Sequence, residues 1–356
     1  MIARSIILVT GSDVGRSLYI TKYGAFIGKS GNRIVVKLND RKEEYVPDDL
    51  EDLIIVGRGK SISSDVVKLC VEAKIPIFFT TMGEYPYATV MPMTISGTVK
   101  RRRAQYEAYI SPLGIEIAKK FLVGKLYNQM NLLRLWAKSR MRSDKVGAAM
   151  IKKAANTIKD LLDSLKSIAG ERMTGEIREK LMSLEARAAD IYWIWFGRIL
   201  GDVAFFPGRV KRGAMDPVNS LLNLGYAILF RRVFKAVLIN GLDPYAGFLH
   251  ADRSGRASLV LDLMEEFRQQ VVDRVVLRLF TKKMIRYDEC VNDEGRLRDN
   301  VVATAIKEFE NRLSEEVTTI YGEKRSIIKH INNQARSLAR FLIGDIPEYR
   351  PFVLSW

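Results

Sequence analysis

Histidine is scarce in this chain, which restricts the chemistry that the sequence allows. Only His250 and His330 occur among the 356 residues, so any histidine-dependent reaction must use one of them. His250 ends the Gly- and Pro-containing segment 241–250, and connections of this kind often hold functional residues. His330 lies in the polar segment 329–333 and is predicted to be a surface residue. His250 is the better candidate for chemistry, although a structural role is the more common one for a single histidine.

Three acidic residues begin twelve positions after His250. Asp262 and Glu265 are three apart on a predicted helix and therefore share one face, with Glu266 adjacent. No intrahelical ion pair explains Asp262, whereas Glu265 has Arg268 at i+3. Repulsion among such acids is relieved by a basic side chain from elsewhere or by a bound metal. A solvated acidic turn is the alternative.

Glu185 is a further isolated acid on a predicted helix. It has no basic partner at neighbouring helical positions, and its face continues through the aromatic residues Tyr192 and Phe196. The carboxylate is therefore expected on a half-buried stripe. Because burial of a bare carboxylate is costly, we expect the Glu185 carboxylate to contact a metal or a hydrogen-bonded polar network.

A polar line runs through the apolar helix that begins near Asp216. Asn219, Asn223 and Tyr226 are spaced at i, i+4 and i+7, which places them on one face. Their side chains suit the positioning of a phosphate or the support of a metal ligand, and core hydrogen bonding between helices is equally plausible. One Glu, one His and a second acid on different elements form a mixed oxygen and nitrogen set. Such a set suits magnesium or manganese rather than a structural zinc.

The elements that must position these residues divide near residue 95. Residues 1–95 contain short apolar runs with turn punctuation, which predict strands over 5–10, 18–21, 25–28, 33–38, 53–56 and 75–80. From residue 96 to 356, apolar residues recur at helical spacing, and helices are predicted over 115–139, 150–168, 175–199, 216–239 and 259–280. The predicted fold is α+β and multidomain. A small N-terminal β-sandwich-like domain (1–95) precedes a larger all-α catalytic domain (96–356).

Net charge points to a polyanionic partner. The chain has 57 Lys and Arg against 41 Asp and Glu, a net charge of +16, and residues 100–356 contribute +15 of it. Nucleic acid is the leading candidate, because basic side chains near phosphates release condensed counterions. A solvated basic surface without a partner is the alternative. The basic residues expected to contact DNA are Lys100, Arg101, Arg102, Arg103, Arg209, Lys211, Arg212, Arg231 and Arg232.

Other features exclude several classes of protein. No uncharged stretch reaches the ~20 residues that a membrane span needs, and the N-terminus leads directly into a strand-like run rather than a signal sequence. We therefore expect a cytoplasmic protein without a membrane partner. Cys70 and Cys290 are too few for a disulfide framework and are predicted to be buried thiols.

Taken in order, four blocks of sequence resemble the CRISPR-associated integrase family, the universal Cas-one protein of spacer acquisition. The blocks are 185–192 (EARAADIY), 216–226 (DPVNSLLNLGY), 241–250 (GLDPYAGFLH) and 258–268 (SLVLDLMEEFR), the last followed by 271–274 (VVDR). They lie behind a strand-rich region that contains YITKYG at 19–24. The resemblance extends over essentially the whole chain.

The resemblance implies a dimerising β domain and a helical domain that binds DNA and a divalent metal. Glu185, His250 and Glu265 would be the metal ligands, with Glu265 standing where many relatives have Asp, and Asp262 would be a nearby acid needed for activity. Tyr192, Asn219 and Tyr226 are secondary site candidates.

The implied reaction joins the 3′-hydroxyl of a protospacer strand to a CRISPR repeat by transesterification, with magnesium or manganese as cofactor. Implied partners are double-stranded and branched DNA, a second copy of the chain, and the small Cas-two protein. Two alternatives remain open: a stand-alone metal-dependent nuclease in DNA repair, and a non-catalytic DNA-binding scaffold.

Overall fold

The computed structural model describes residues 7–10, 16–82, 85–93, 97–211 and 213–355. Strands occupy the described residues up to Val90, and long helices begin at Thr98, so the predicted α+β class is confirmed. Residues 5 and 6 of the first predicted strand lie outside the described residues. Within the described part of the chain, no helix is both long and apolar enough to cross a membrane.

Two sheets form the N-terminal part. The first has the order β1 (Ile7–Thr10), β2 (Arg16–Ile20), β6 (Leu50–Val56), β8 (Ile77–Thr80) and β9 (Pro86–Val90). The second has the order β5 (Arg41–Tyr45), β4 (Arg33–Leu38), β3 (Phe26–Ser30) and β7 (Ser61–Ile62). Strand β6 is parallel to both β2 and β8, and α1 (Ser64–Glu72) provides the connection between β7 and β8.

Successive side chains of the central strands point to opposite faces of the first sheet, and both faces are buried. Leu18 and Ile20 of β2 and Leu53 of β6 pack with the second sheet in a small core of their own. Tyr19 and Ile54, which point to the opposite face, belong to the main core with the helices. Because both faces are covered, these strands are nearly continuous apolar runs.

Helices form most of the remaining described residues: α2 (Thr98–Tyr109), α3 (Pro112–Arg140), α4 (Lys145–Ser164), α5 (Gly175–Leu200), α6 (Pro217–Ile239), α7 (Ser258–Met264), α8 (Arg274–Thr281), α9 (Asp299–Ser314) and α10 (Ile327–Leu342). Helices α3 to α6 have bounds close to those predicted. A short hairpin of β10 (Glu316–Thr318) and β11 (Lys324–Ser326) joins α9 to α10. Asp216 caps α6 by accepting a hydrogen bond from the Asn219 amide at 2.8 Å.

The single helix predicted over 259–280 is interrupted. Helix α7 ends at Met264, a π-helical turn spans Gln269–Asp273, and α8 follows directly. Turns of this kind are frequent at functional sites, and this one lies beside Glu265.

Arg231 and Arg232 connect the first sheet to the helices, so their predicted contact with DNA is wrong. Both are almost fully buried. Arg232 lies 2.6 Å from Asp52 Oδ2 of β6 and 2.7 Å from Glu310 Oε2 of α9. Arg231 donates to the Tyr19 hydroxyl at 2.9 Å. Two buried acids pair with Arg232 and a buried tyrosine hydroxyl accepts from Arg231, so both guanidinium groups are inaccessible to phosphates.

His330 is another residue whose predicted location is wrong. It is 2% exposed on α10, and its Nε2 lies 3.2 Å from the Val317 carbonyl oxygen. The neighbouring polar residues suggested a surface position, but the ring faces the core beside Phe352. Burial lowers the pKa of this imidazole, which favours its neutral form. Cys70 and Cys290 are buried free thiols, as predicted.

Candidate functional site

Glu185 and Glu265 meet at one cation, Lys125 of α3. Lys125 Nζ contacts Glu185 Oε1 on α5 and lies 2.7 Å from Glu265 Oε2, just past the end of α7. Arg268 Nε lies 3.0 Å from Glu265 Oε1, which confirms the predicted i+3 pair. The sequence therefore correctly indicated a cation for Glu265, but Glu185 also has a basic partner, from a distant helix.

Neighbouring opposite charges keep Glu265 and Lys125 ionised although both side chains are buried. Burial alone would raise the pKa of Glu265, but Arg268, Lys125 and His250 together lower it below its ordinary value. Burial opposes the charge on Lys125, yet Glu265 and Glu185 raise the pKa of its ammonium. A buried carboxylate and a buried ammonium are each costly alone, so these side chains depend on one another.

Asp262 fixes the loop that presents His250. Its Oδ2 accepts hydrogen bonds from the amides of Phe248 at 2.6 Å and Leu249 at 2.9 Å. Its Oδ1 accepts from the His250 amide at 3.0 Å and lies 2.6 Å from His250 Nδ1. Asp262 is fully buried, and its contacts with this region are to His250 and the loop before it. The carboxylate holds the imidazole orientation, as outer carboxylates commonly do for histidine ligands.

Gly247 makes this loop possible. A Cβ there would lie 2.7 Å from the Ser258 Cβ and 2.8 Å from Asp262 Oδ2, closer than real side chains approach. The loop can reach the carboxylate only without a side chain at that position. Arg178 of α5 secures the other side of the loop by donating to the Leu249 carbonyl at 3.1 Å.

The polar side chains of α6 bond to two partners: the two asparagines bond to the 208–210 segment, and Tyr226 bonds to Asp273. Asn219 Oδ1 accepts from Arg209 Nη1 at 3.0 Å and from the Val210 amide at 2.9 Å, and Asn223 Oδ1 accepts from Arg209 Nη2 at 2.7 Å. These amides hold the 208–210 segment against the helix, so the two asparagines bond to a loop and not to a neighbouring helix.

Tyr226 and Tyr192 converge on Asp273, which sequence reasoning did not single out. Both hydroxyls donate to its carboxylate, Tyr192 at 2.8 Å to Oδ2 and Tyr226 to Oδ1. Burial raises the pKa of Asp273 to about 6 even though both tyrosines lower it. Arg268 lies 4.8 Å above the Tyr226 ring, so the same guanidinium contacts this cluster and Glu265.

Glu266 faces away from the site, so the three acids 262, 265 and 266 do not form one cluster. Glu266 accepts hydrogen bonds from Tyr349 at 2.6 Å, from the Phe352 amide at 2.7 Å and from Gln334 at 2.9 Å. The break after Met264 turns successive side chains toward different elements. The spacing argument assumed a regular helix that the chain does not form there.

No three His, Cys, Asp or Glu side chains among the described residues surround a common metal position. Glu185 and Glu265 nevertheless share one cation, and His250 is bonded to Asp262, three residues before Glu265. Glu265 Oε2 is buried, and its partner is Lys125 Nζ at 2.7 Å. Two carboxylates and an imidazole are a donor set that suits magnesium or manganese.

The predicted DNA-contacting residues have different surroundings. Lys100, Arg103 and Lys211 are exposed and available. Arg101 donates to the Asn240 carbonyl at 3.0 Å, and Arg209 is engaged with α6. Arg212 lies outside the described residues. The basic surface is therefore smaller than the sequence indicated.

Lys125 is a second residue of the candidate site that sequence reasoning did not single out. It is a single charge within the otherwise apolar or polar run FLVGKLYNQM at 121–130, most of which is buried. A lone lysine on a core-facing stripe needs acidic partners, so the signal was present in the sequence.

Comparison with known sequences places the chain in context. The sequence model described as "CRISPR associated protein Cas1" matches residues 18–311. A CRISPR-associated endonuclease Cas1 from Archaeoglobus fulgidus is 37% identical over 95% of this chain and 99% of its own length. A second such endonuclease, from Thermus thermophilus, is 32% identical over 97% of this chain and 98% of its own length.

Solved structures share the fold. A casposase bound to its integration product superposes with a TM-score of 0.78 and 23% identity, covering 94% of this chain and 92% of its own. A Cas6-RT-Cas1 chain from a complex with Cas2 superposes with a TM-score of 0.75 and 20% sequence identity, and the match covers 96% of this chain and 36% of that chain. A Cas1 protein from Thermotoga maritima superposes with a TM-score of 0.74 and 21% sequence identity, and the match covers 96% of this chain and 99% of that chain. The family match and the two relatives together show that this chain belongs to the Cas1 family of CRISPR-associated proteins.

Proposed function

We propose that this chain is a metal-dependent DNA endonuclease and integrase of CRISPR adaptation. The observation that supports the proposal is the convergence of Glu185, on α5, and Glu265, just past the end of α7, on one buried cation, Lys125. Relatives named as Cas1 endonucleases cover nearly the whole chain, and a casposase bound to an integration product shares its fold.

In the proposed reaction, the 3′-hydroxyl oxygen of a protospacer strand forms a bond to a phosphorus of the CRISPR repeat. The attacking hydroxyl gives up its proton to water, the bond between that phosphorus and the 3′-oxygen of the repeat strand breaks, and the displaced oxygen takes up a proton from water. Water in place of the hydroxyl gives cleavage instead of joining.

Glu185, Glu265 and His250 are the residues that would hold magnesium or manganese. A divalent ion there supplies Lewis-acid polarisation of the phosphoryl group and stabilises charge on the attacking or leaving oxygen. Asp262 would position His250 through the bonds to its ring and its loop. Asn219, Tyr226 and Tyr192 would shape the surroundings, since their polar atoms are already bonded within the protein.

The proposed partners follow from charge and from the fold. Double-stranded and branched DNA suit a chain with a net charge of +16, with exposed Lys100, Arg103 and Lys211 as backbone contacts. A second copy of the chain, pairing through the N-terminal sheets, and the small Cas2 protein complete the proposed assembly. A chain of similar fold occurs in a complex with Cas2.

The test is a strand-transfer assay with metal. A supercoiled plasmid carrying a repeat array is mixed with labelled duplexes that have free 3′-hydroxyls, with magnesium or manganese, with and without Cas2. We expect label joined near the repeat only when metal is present. Glu185→Gln should reduce joining and cleavage at least about 100-fold, the usual cost of losing a group that stabilises transition-state charge, and should leave DNA affinity nearly unchanged.

Glu179→Gln is the matched control, because Glu179 is an exposed acid on the same helix. It should join DNA at the wild-type rate. Joining by Glu185→Gln at the wild-type rate would end this assignment. Cleavage without joining in the presence of Cas2 would favour a repair nuclease, and neither activity under any metal would leave a DNA-binding scaffold.

A further inference from the structure

Lys125 is the cation that holds the two proposed ligand carboxylates together. It reaches from α3 into the space between α5 and the end of α7, where it contacts Glu185 and lies 2.7 Å from Glu265. Its side chain is 9% exposed, and those of Glu185 and Glu265 are 19% and 5% exposed. The three charges are therefore largely withdrawn from water.

The position of this ammonium has a consequence for any metal at the site. Glu185 Oε1 and Glu265 Oε2 are both committed to Lys125 Nζ, so a divalent cation at the same oxygens would face a fixed positive charge at close range. Arg268 already pairs with the other oxygen of Glu265 and adds to the positive charge. One of these cations has to leave before a metal is bound by both carboxylates.

Lysine is the residue suited to leave. Its compact charge sits on a flexible four-carbon stem, whereas the Arg268 guanidinium also stacks on Tyr226 and is fixed by that contact. When Lys125 moves away, its ion pairs with Glu185 and Glu265 are broken. The free energy lost in breaking them lowers the affinity of the site for the metal. In the absence of metal, the same pairs prevent the two carboxylates from repelling each other.

We propose that Lys125 is a resident counter-cation that preassembles Glu185 and Glu265 and competes with the divalent metal for them. This inference rests on the proposed metal site. It makes Lys125 a positioning residue that sets the metal affinity. Removal of its charge should therefore tighten metal binding, which is the opposite of what loss of a purely structural residue would do.

The experiment measures Mn²⁺ binding to the full-length, DNA-free protein by isothermal titration calorimetry. Lys125→Met removes the charge while keeping most of the apolar stem, and its dissociation constant for Mn²⁺ should be at least tenfold lower than that of wild type. The melting temperature of Lys125→Met should fall in EDTA, and Mn²⁺ should raise it by more than it raises the wild-type value, because a ligand of the folded state stabilises it.

Lys120→Met is the matched control on the same helix. Lys120 pairs with Glu348 on the surface at 2.8 Å, and its loss should leave Mn²⁺ affinity unchanged. Lys125→Gln, which is also uncharged but polar, replaces Lys125→Met if that variant does not fold, and it should tighten Mn²⁺ binding in the same direction.

Glu185→Gln separates the two ways in which the inference can fail. If wild-type protein binds Mn²⁺ in a Glu185-dependent manner but neutral substitutions of Lys125 leave the affinity unchanged or weaker, the competition is overturned and the metal site stands. If Mn²⁺ binding is absent or insensitive to Glu185→Gln, both the metal site and the role of Lys125 are overturned.

Discussion

Glu266 is a buried acid whose charge state controls a contact with the C-terminal segment. Burial raises its pKa to about 7, while hydrogen bonds from Tyr349, the Phe352 amide and Gln334 oppose that rise. The unfolded chain releases this proton near pH 4.5, well before the folded chain does. Burial of Glu266 therefore reduces stability progressively as the pH rises from about 4.5 to about 7.

Tyr349→Phe should be more costly at high pH than at low pH. The lost hydroxyl donates to Glu266 Oε1 at 2.6 Å. A hydrogen bond to a charged group contributes about 1.5–3 kcal/mol, against about 0.5–1.5 kcal/mol for a neutral pair. We expect the free energy of unfolding in urea to fall by about 1 kcal/mol more at pH 8 than at pH 5.

Tyr109→Phe provides the comparison for this pH effect. The Tyr109 hydroxyl accepts from Arg178 Nη2 at 3.1 Å and has no acidic partner in that contact. Its loss should cost the same at both pH values. Equal losses at pH 5 and pH 8 for Tyr349→Phe would mean that Glu266 does not change charge within this range.

At the residue level, the sequence indicated the candidate site acids better than their partners. Glu185, Asp262 and Glu265 were recognisable because each was an acid without a sufficient local counter-charge. Lys125 and Asp273 supply the missing interactions across 60 residues of sequence from Glu185 and 81 from Tyr192. Helical spacing is informative only over a few turns, so contacts between distant helices were outside its reach.

At the element level, helix α3 anchors the C-terminal segment beside the candidate site. Asn128 donates to the carbonyls of Glu266 at 2.8 Å and Phe352 at 2.9 Å, and it accepts from the Leu354 amide at 3.2 Å. One buried side chain thus ties the turn after α7 to the last residues of the chain. Helix bounds were largely predictable, but this link and the π-helical turn were not, because apolar periodicity continues unbroken through 259–280.

Asn128→Ala should therefore be much more harmful than Asn131→Ala. The first leaves two carbonyls and one amide without their partner, and each buried unsatisfied group costs about 1–3 kcal/mol. We expect a loss of about 3 kcal/mol in urea unfolding, with faster hydrogen exchange at the Leu354 amide. Asn131, on the same helix, donates once, to the Leu354 carbonyl at 3.0 Å, so its loss should cost about 1 kcal/mol. Equal losses for the two variants would contradict this account of the anchor.

At the scale of the whole molecule, the positive charge is unevenly distributed. Residues 1–99 contribute a net +1 and residues 100–356 a net +15. Sequence alone gave this asymmetry, but it overcounted the charges available to DNA, because Arg231 and Arg232 are paired with buried groups where the sheet meets the helices. Exposed residues such as Lys100 and Arg103 on α2 must then account for more of the binding.

Replacing Lys100 and Arg103 by Ser should reduce the salt dependence of DNA binding. Each phosphate contact contributes about 0.9 to the slope of log affinity against log salt for duplex DNA, so the slope should decrease by up to about 1.8 in fluorescence anisotropy titrations. Replacing Lys42 and Lys68 by Ser removes the same charge from the N-terminal part, where both side chains are at least half exposed. A local contact predicts that only the α2 variant loses slope. Equal changes in both variants would mean that DNA responds to net charge and that α2 does not touch the phosphates.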